Sequence, residues 1–165
     1  MGLPLLLTDF DGVIAPYGEV RDDVTLVRPG GYFDPAYVLN GLPQMLGTLH
    51  DTGRVTWQML SHHGAEVGQY LEPFGRGHVS ALVPGAVGGE LRHRHGKAAA
   101  VEAALAAGAA VIWCDDIDIE SFRVECPDAV ALLEHPKLLT IEPDPKVGLT
   151  PTHLRQAVAF ADSWP

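Results

Sequence analysis

Cysteine is nearly absent from this 165-residue chain: Cys114 and Cys126 are the only two, and no Cys-x-x-Cys spacing relates them. No disulfide framework is expected, and the cytoplasm is the expected compartment. Basic residues are scarce as well. Eleven Lys and Arg face 21 Asp and Glu, a formal net charge of −10 that disfavours simple affinity for nucleic acid backbones or anionic membranes. The local exception is the cluster Arg92, His93, Arg94, His95 and Lys97. No apolar run approaches the roughly 20 residues needed to span a bilayer. Met1-Gly2-Leu3-Pro4 lacks the basic n-region of a secretory signal, and Leu6 and Leu7 stand where a myristoylation motif needs Ser or Thr. What remains is 47% apolar and 19% charged, a composition that folds, at a length that predicts one domain over residues 1–165.

The most informative stretch is Leu5-Leu6-Leu7-Thr8-Asp9-Phe10-Asp11-Gly12-Val13. Its apolar run has the length of a buried parallel strand. In extended backbone, positions i and i+2 point the same way, so Asp9 and Asp11 project together from the carboxyl end of that strand. Open α/β sheets place their ligand crevice at that end. Two carboxylates crowded there repel unless a cation or a shared proton separates them. A hard metal ion plus a carboxylate nucleophile fits this chemistry best. A lone Asp-x-Asp is often only a solvated turn or a helix cap, so the rest of the chain must decide.

Five strands alternate mostly with helices. The first runs roughly Pro4–Asp9. Pro16–Asp34, rich in Gly, Pro and charge, reads as a loop or small hairpin. Asp34-Pro35 predicts a helix to about Asp51, with Pro35 in its first position and Gly41 and Pro43 dividing it. Arg54–Leu60 is the second strand, ending at Ser61. Ala65–Phe74 is a short helix, Val79–Val83 a weaker third strand and Gly85–Gly89 a loop. Gly96-Lys97 opens an Ala-rich helix to about Ala107, closed by Gly108. Ala109–Cys114 is the fourth strand, with Asp115-Asp116 at its carboxyl end and Cys114 a buried thiol. Ile119–Leu133 is helical or mixed, and Leu138–Ile141 is the fifth strand. Thr150-Pro151 caps and opens a last amphipathic helix to about Ala161. Strands separated by helices imply a three-layer α/β/α fold around a mostly parallel, five-stranded sheet.

Four features therefore fall at strand ends or helix starts: Asp9-x-Asp11-Gly12, Ser61, Lys97 and Asp115-Asp116. This order resembles the haloacid dehalogenase (HAD) superfamily of phosphotransferases, whose motifs are an Asp-x-Asp, a strand-ending Thr or Ser, a Lys and a late acidic pair. The match runs from Asp9 to Asp116. The resemblance implies a Rossmannoid fold and a Mg²⁺-dependent phosphohydrolase acting on a phosphate monoester. Asp9 would attack phosphorus to form an aspartyl-phosphate, and Asp11 would act as general acid and base, its backbone carbonyl also ligating the metal. Ser61 would hydrogen-bond a phosphoryl oxygen, and Lys97 would neutralise charge on the nucleophile and the transferring group. Asp116 is the first choice for the remaining acidic metal ligand, with Asp115 close behind. Gly12 would turn the chain beside the substrate. Related small sequences carry a tryptophan-threonine pattern in the second motif; Trp57-Gln58-Met59-Leu60-Ser61 departs from it, which leaves Thr56 as the alternative to Ser61. The rival to an enzyme is a binding module on the same fold that has lost catalysis.

His62-His63 and His93-x-His95 have the composition of zinc or nickel ligands, but read more simply as exposed loop histidines. His62 and His63 follow Ser61 closely enough to line the site, with His62 the candidate substrate contact. Trp57 reads as core. Specificity in the superfamily usually comes from cap insertions, and neither the Asp11–Ser61 nor the Ser61–Lys97 interval holds a separate cap domain. An open site would admit a bulky substrate such as a phosphoprotein or a nucleic acid end, or be covered by an oligomeric partner. The phrases Asp9–Val13 and Asp144-Pro145-Lys146-Val147-Gly148-Leu149-Thr150-Pro151 also resemble a narrower group of small, mostly bacterial HAD domains, some linked to RNA repair. That likeness implies a nucleic acid end as substrate, against which the acidic net charge stands.

Overall fold

A computed structural model of the chain describes residues 2–18, 21–30, 34–82, 96–126 and 129–164. Strand β1 (Leu5–Thr8) is followed by β2 (Val24–Val27), β3 (Ala36–Leu39), helix α1 (Leu42–Asp51) and β4 (Thr56–Leu60). Then come α2 (Val67–Leu71), β5 (Ala81–Leu82), α3 (Gly96–Ala106), β6 (Val111–Cys114), α4 (Asp118–Glu125), α5 (Ala129–Leu133), β7 (Leu138–Ile141) and α6 (Pro151–Asp162). Five strands form one parallel sheet in the order β5-β4-β1-β6-β7. The register sets Thr8 beside Met59 on one side and Cys114 on the other. The ladder continues one residue past β1, where the Asp9 N–H donates to the Cys114 carbonyl at 2.9 Å.

Alternation along these strands divides the apolar residues between two faces. Leu6, Trp57, Met59, Ile112 and Ile141 share a core with Leu42 and Leu46 of α1, Val67, Tyr70 and Leu71, and Ala157 and Ala161 of α6. Leu7, Leu60, Val111, Trp113 and Leu138 share the other with Ala98, Val101 and Leu105 of α3, Ile119, Phe122 and Leu132. The result is the expected layering: helices on both faces of a parallel sheet, whose strands are buried on both sides. Burial of Trp57 and Cys114 agrees with their reading as core. The Trp57 indole N–H donates to Thr8 Oγ1 at 2.9 Å and that hydroxyl donates to Met59 Sδ at 3.2 Å, so a buried hydroxyl is satisfied across the β1–β4 pair.

The helix predicted to begin at Pro35 is corrected. Ala36–Leu39 is a strand, paired antiparallel with β2 in the register Val27↔Ala36 to Val24↔Leu39. Tyr37 and Val38 favour extended backbone, and a strand partner was available upstream. Gly41, at φ 77°, then breaks the chain direction, and Pro43 occupies the first turn of α1, where a missing N–H costs nothing. The hairpin expected within Pro16–Asp34 thus exists with its second strand displaced beyond it. The second sheet strand also starts later than predicted, at Thr56 rather than Arg54; Arg54 and Val55 instead donate backbone hydrogen bonds to the Leu49 carbonyl at the end of α1. The Gly85–Gly89 loop, the Arg92–His95 part of the basic cluster and the His93-x-His95 pair lie outside the described residues. Among the described residues, no helix is long and apolar enough to cross a membrane.

Candidate active site

Because the sheet is parallel, the residues after β1, β4 and β6 emerge at one edge: Asp9, Ser61, and Asp115 with Asp116. One carboxylate oxygen from each of Asp9, Asp115 and Asp116 lies within 4.8 Å of the others. Lys97, in the first turn of α3, reaches into this group and is 2% exposed. Its Nζ donates to Asp9 Oδ2 at 2.5 Å and to Asp115 Oδ2 at 2.8 Å, and lies 2.8 Å from Asp118 Oδ2. Burial alone would pull the ammonium down; the charges of Asp9 and Asp115 more than reverse this, so Lys97 is held above its ordinary value and stays cationic.

The carboxylates differ in how fully they are occupied. Asp9 Oδ1 accepts from the Phe10 N–H at 2.6 Å. Asp115 Oδ1 accepts from the N–H groups of Ile117 and Asp118 at 3.1 and 2.7 Å, which fixes the start of α4. Asp116 is less fully held: its Oδ2 is buried without a hydrogen-bond partner. Its carboxyl is pushed up to about 6, first by burial and then by the Asp115 charge. An orphaned buried carboxylate oxygen among acidic neighbours is what a cation would complete. The donor set is all oxygen and suits a hard divalent ion such as Mg²⁺.

Gly12 makes room for Asp116. Its φ is 70°, and a Cβ added there would lie 2.2 Å from Asp116 Oδ2. The loop it opens is held from outside the four motifs. Leu149 N–H donates to the Val13 carbonyl at 2.9 Å, and Tyr17 N–H to the Pro145 carbonyl at 2.7 Å. The Asp144–Pro151 phrase is therefore a buttress under the loop that carries Gly12.

Ser61 is buried at the carboxyl end of β4, its Oγ accepting weakly from the His63 N–H at 3.4 Å. Thr56 pairs with Leu5 at the opposite end of the sheet, so the geometry places Ser61, and not Thr56, at the shared edge. Asp11 is not one of the three grouped carboxylates; its Oδ2 lies 2.9 Å from His63 Nε2. His62 is displaced from the centre: its side chain is 71% exposed and its Nε2 lies 3.8 Å from Asp118 Oδ2.

Asp118 and Tyr17 escaped the sequence reading, and His63, read there only as lining the site, has a specific partner. Asp118 is the third carboxylate on Lys97, and the spacing Asp115-Asp116-x-Asp118 was its signal. His63 rather than His62 touches Asp11, two residues past a strand-ending serine. Tyr17 stands half-exposed, its phenol pushed up to about 12 by burial and then by the charges of Asp11, Asp116 and Asp9. No pattern in the sequence marked it. No protein-family model matches this chain, and no curated protein matches it.

Proposed function

We propose that this chain is a Mg²⁺-dependent phosphohydrolase of the haloacid dehalogenase type, acting on a phosphate monoester through Asp9. The observation that carries this reading is the buried Lys97 ammonium spanning Asp9 and Asp115 beside the orphaned Asp116 Oδ2. Asp9, Asp115 and Asp118 meet one ammonium and Asp116 stands beside them, so four carboxylates face a single cation and the site has anionic capacity in excess of what the protein neutralises. Asp9 and Asp116, with Asp115 beside them, would hold the cation, which supplies charge neutralisation between these carboxylates and a phosphoryl dianion.

The protein's own groups account for the remaining chemistry. The Asp9 carboxylate bonds to phosphorus as the ester P–O bond breaks, and the electron pair leaves with the alcohol oxygen. Asp11, in its acid form, gives that oxygen its proton. A water then bonds to phosphorus while Asp11 takes one of its protons, and the Asp9–phosphorus bond breaks to regenerate the carboxylate. Lys97 keeps Asp9 oriented and offsets charge throughout. Ser61 donates to a phosphoryl oxygen, and His62 stands on the substrate side. An edge with no cap domain among the described residues suits a bulky phosphorylated substrate, a nucleic acid end among them.

Hydrolysis of 4-nitrophenyl phosphate tests the reading. Turnover is expected with Mg²⁺, abolished by EDTA and restored by added Mg²⁺. Asp9→Asn should eliminate it with the melting temperature retained. Metal-independent turnover would refute the metal's role, and a fully active Asp9→Asn would remove the nucleophile assignment.

A further inference from the structure

Asp11 has a task that depends on direction: its proton must reach the leaving oxygen. Yet its side chain is 41% exposed, and the repulsion of Asp9 and Asp116 would drive it outward. Its one described side-chain contact is His63 Nε2 at 2.9 Å. The histidine is itself fixed. Its ring meets the edge of Phe10 at 5.5 Å and 89°, and lies 5.4 Å from Tyr70. Phe10 and Tyr70 are buried and packed on each other at 4.7 Å. The Tyr70 hydroxyl donates to the Asp34 carbonyl at 3.0 Å. Beneath the ring, the Gly64 N–H closes a turn on the Ser61 carbonyl at 3.0 Å. An imidazole on such a wall loses little freedom when it makes one more hydrogen bond, unlike a side chain free in solvent.

We infer that His63 is a positioning residue: it donates through Nε2–H to Asp11 Oδ2 and so leaves Oδ1 as the oxygen that carries the proton to the leaving group. This assignment rests on the phosphohydrolase reading. It gives the aromatic wall of Phe10 and Tyr70 a part in catalysis at second hand, because the wall sets the histidine and the histidine sets the acid.

Leaving groups separate this role from a structural one. 4-Nitrophenolate departs without a proton, whereas an alkoxide does not, so in the step that expels the leaving group only alkyl esters need a well-aimed acid. The experiment compares 4-nitrophenyl phosphate with 2-phenylethyl phosphate in wild type, His63→Leu and His63→Gln. His63→Leu should lower kcat/KM, which reads leaving-group departure and not the later hydrolysis that both esters share, by about 10- to 100-fold on the alkyl ester and by no more than about 3-fold on the aryl ester. His63→Gln, whose side-chain amide also offers an N–H, should recover most of the alkyl activity. Equal losses of kcat/KM on both esters, no loss on either, or a glutamine variant no better than leucine would overturn the assignment. Should His63→Leu fail to fold, His63→Asn replaces it. Asparagine is one methylene too short, and must show the leaving-group selectivity that glutamine lacks; if the two behave alike the assignment falls. A wild type inert toward both esters removes the phosphohydrolase reading and this assignment together. An active wild type with uniform losses removes only this one.

Discussion

Asp116 is the carboxylate that most clearly depends on what binds beside it. Burial and the Asp115 charge raise its pKa from the ordinary 3.8 to about 6. A raised folded value means that the protonated form is the one the fold favours. Its contribution to the stability of the metal-free protein is therefore fully present below about pH 3.8 and lost as pH rises through about 6. In EDTA, wild type should lose stability relative to Asp116→Asn across that interval, and the variant should be the more stable above pH 7. Thermal melts from pH 4 to 8 check this; parallel curves for the two proteins would contradict it. At this scale the sequence was informative where chemistry is written in short spacings. Asp9, Lys97 and the Asp115-Asp116 pair came together because strand ends and helix starts are local signals. The partners of His63, Asp118 and Tyr17 were not legible: His63 read only as lining the site, and its contact with Asp11, the reach of Lys97 to Asp118 and the hold of Pro145 on Tyr17 each join segments distant along the chain.

Among the elements, α6 has the clearest sequence signature and the clearest cap. Thr150 Oγ1 accepts from the His153 N–H at 3.4 Å, and His153 Nδ1 accepts from the Thr150 N–H at 3.2 Å. Burial lowers the His153 pKa, which favours the neutral ring this acceptor role needs. Thr150→Ala should reduce unfolding free energy by about 1 kcal/mol at an unchanged denaturant slope. Denaturant titration measures it, and an unaltered midpoint would assign the helix start to Pro151 and packing instead. The region before α1 shows the opposite case. Asp34-Pro35 had the form of a helix start, yet the pairing of β3 with β2 overrode it. Strand pairing is a property of two segments, and Pro35 carries no information about Val24–Val27.

For the whole molecule, the parallel sheet could be anticipated from the alternation of strands and helices, but the order β5-β4-β1-β6-β7 could not, because neighbours in a sheet are chosen by crossovers rather than by strand composition. The charge of −10 was legible at once, and it has a kinetic consequence for any polyanionic substrate. At constant Mg²⁺, kcat/KM on a 3′- or 5′-phosphorylated oligonucleotide should rise as monovalent salt increases from about 10 to 150 mM, since screening weakens like-charge repulsion. A fall over that range would mean that local cations govern the encounter. Mutational freedom is just as unevenly spread. The two apolar cores can exchange residues of similar volume at modest cost, and the surface can drift further still. Position 12 has no such latitude: every alternative to glycine carries a Cβ, and that atom would lie 2.2 Å from the Asp116 oxygen. A lineage that preserves this carboxylate geometry must preserve a glycine beside it.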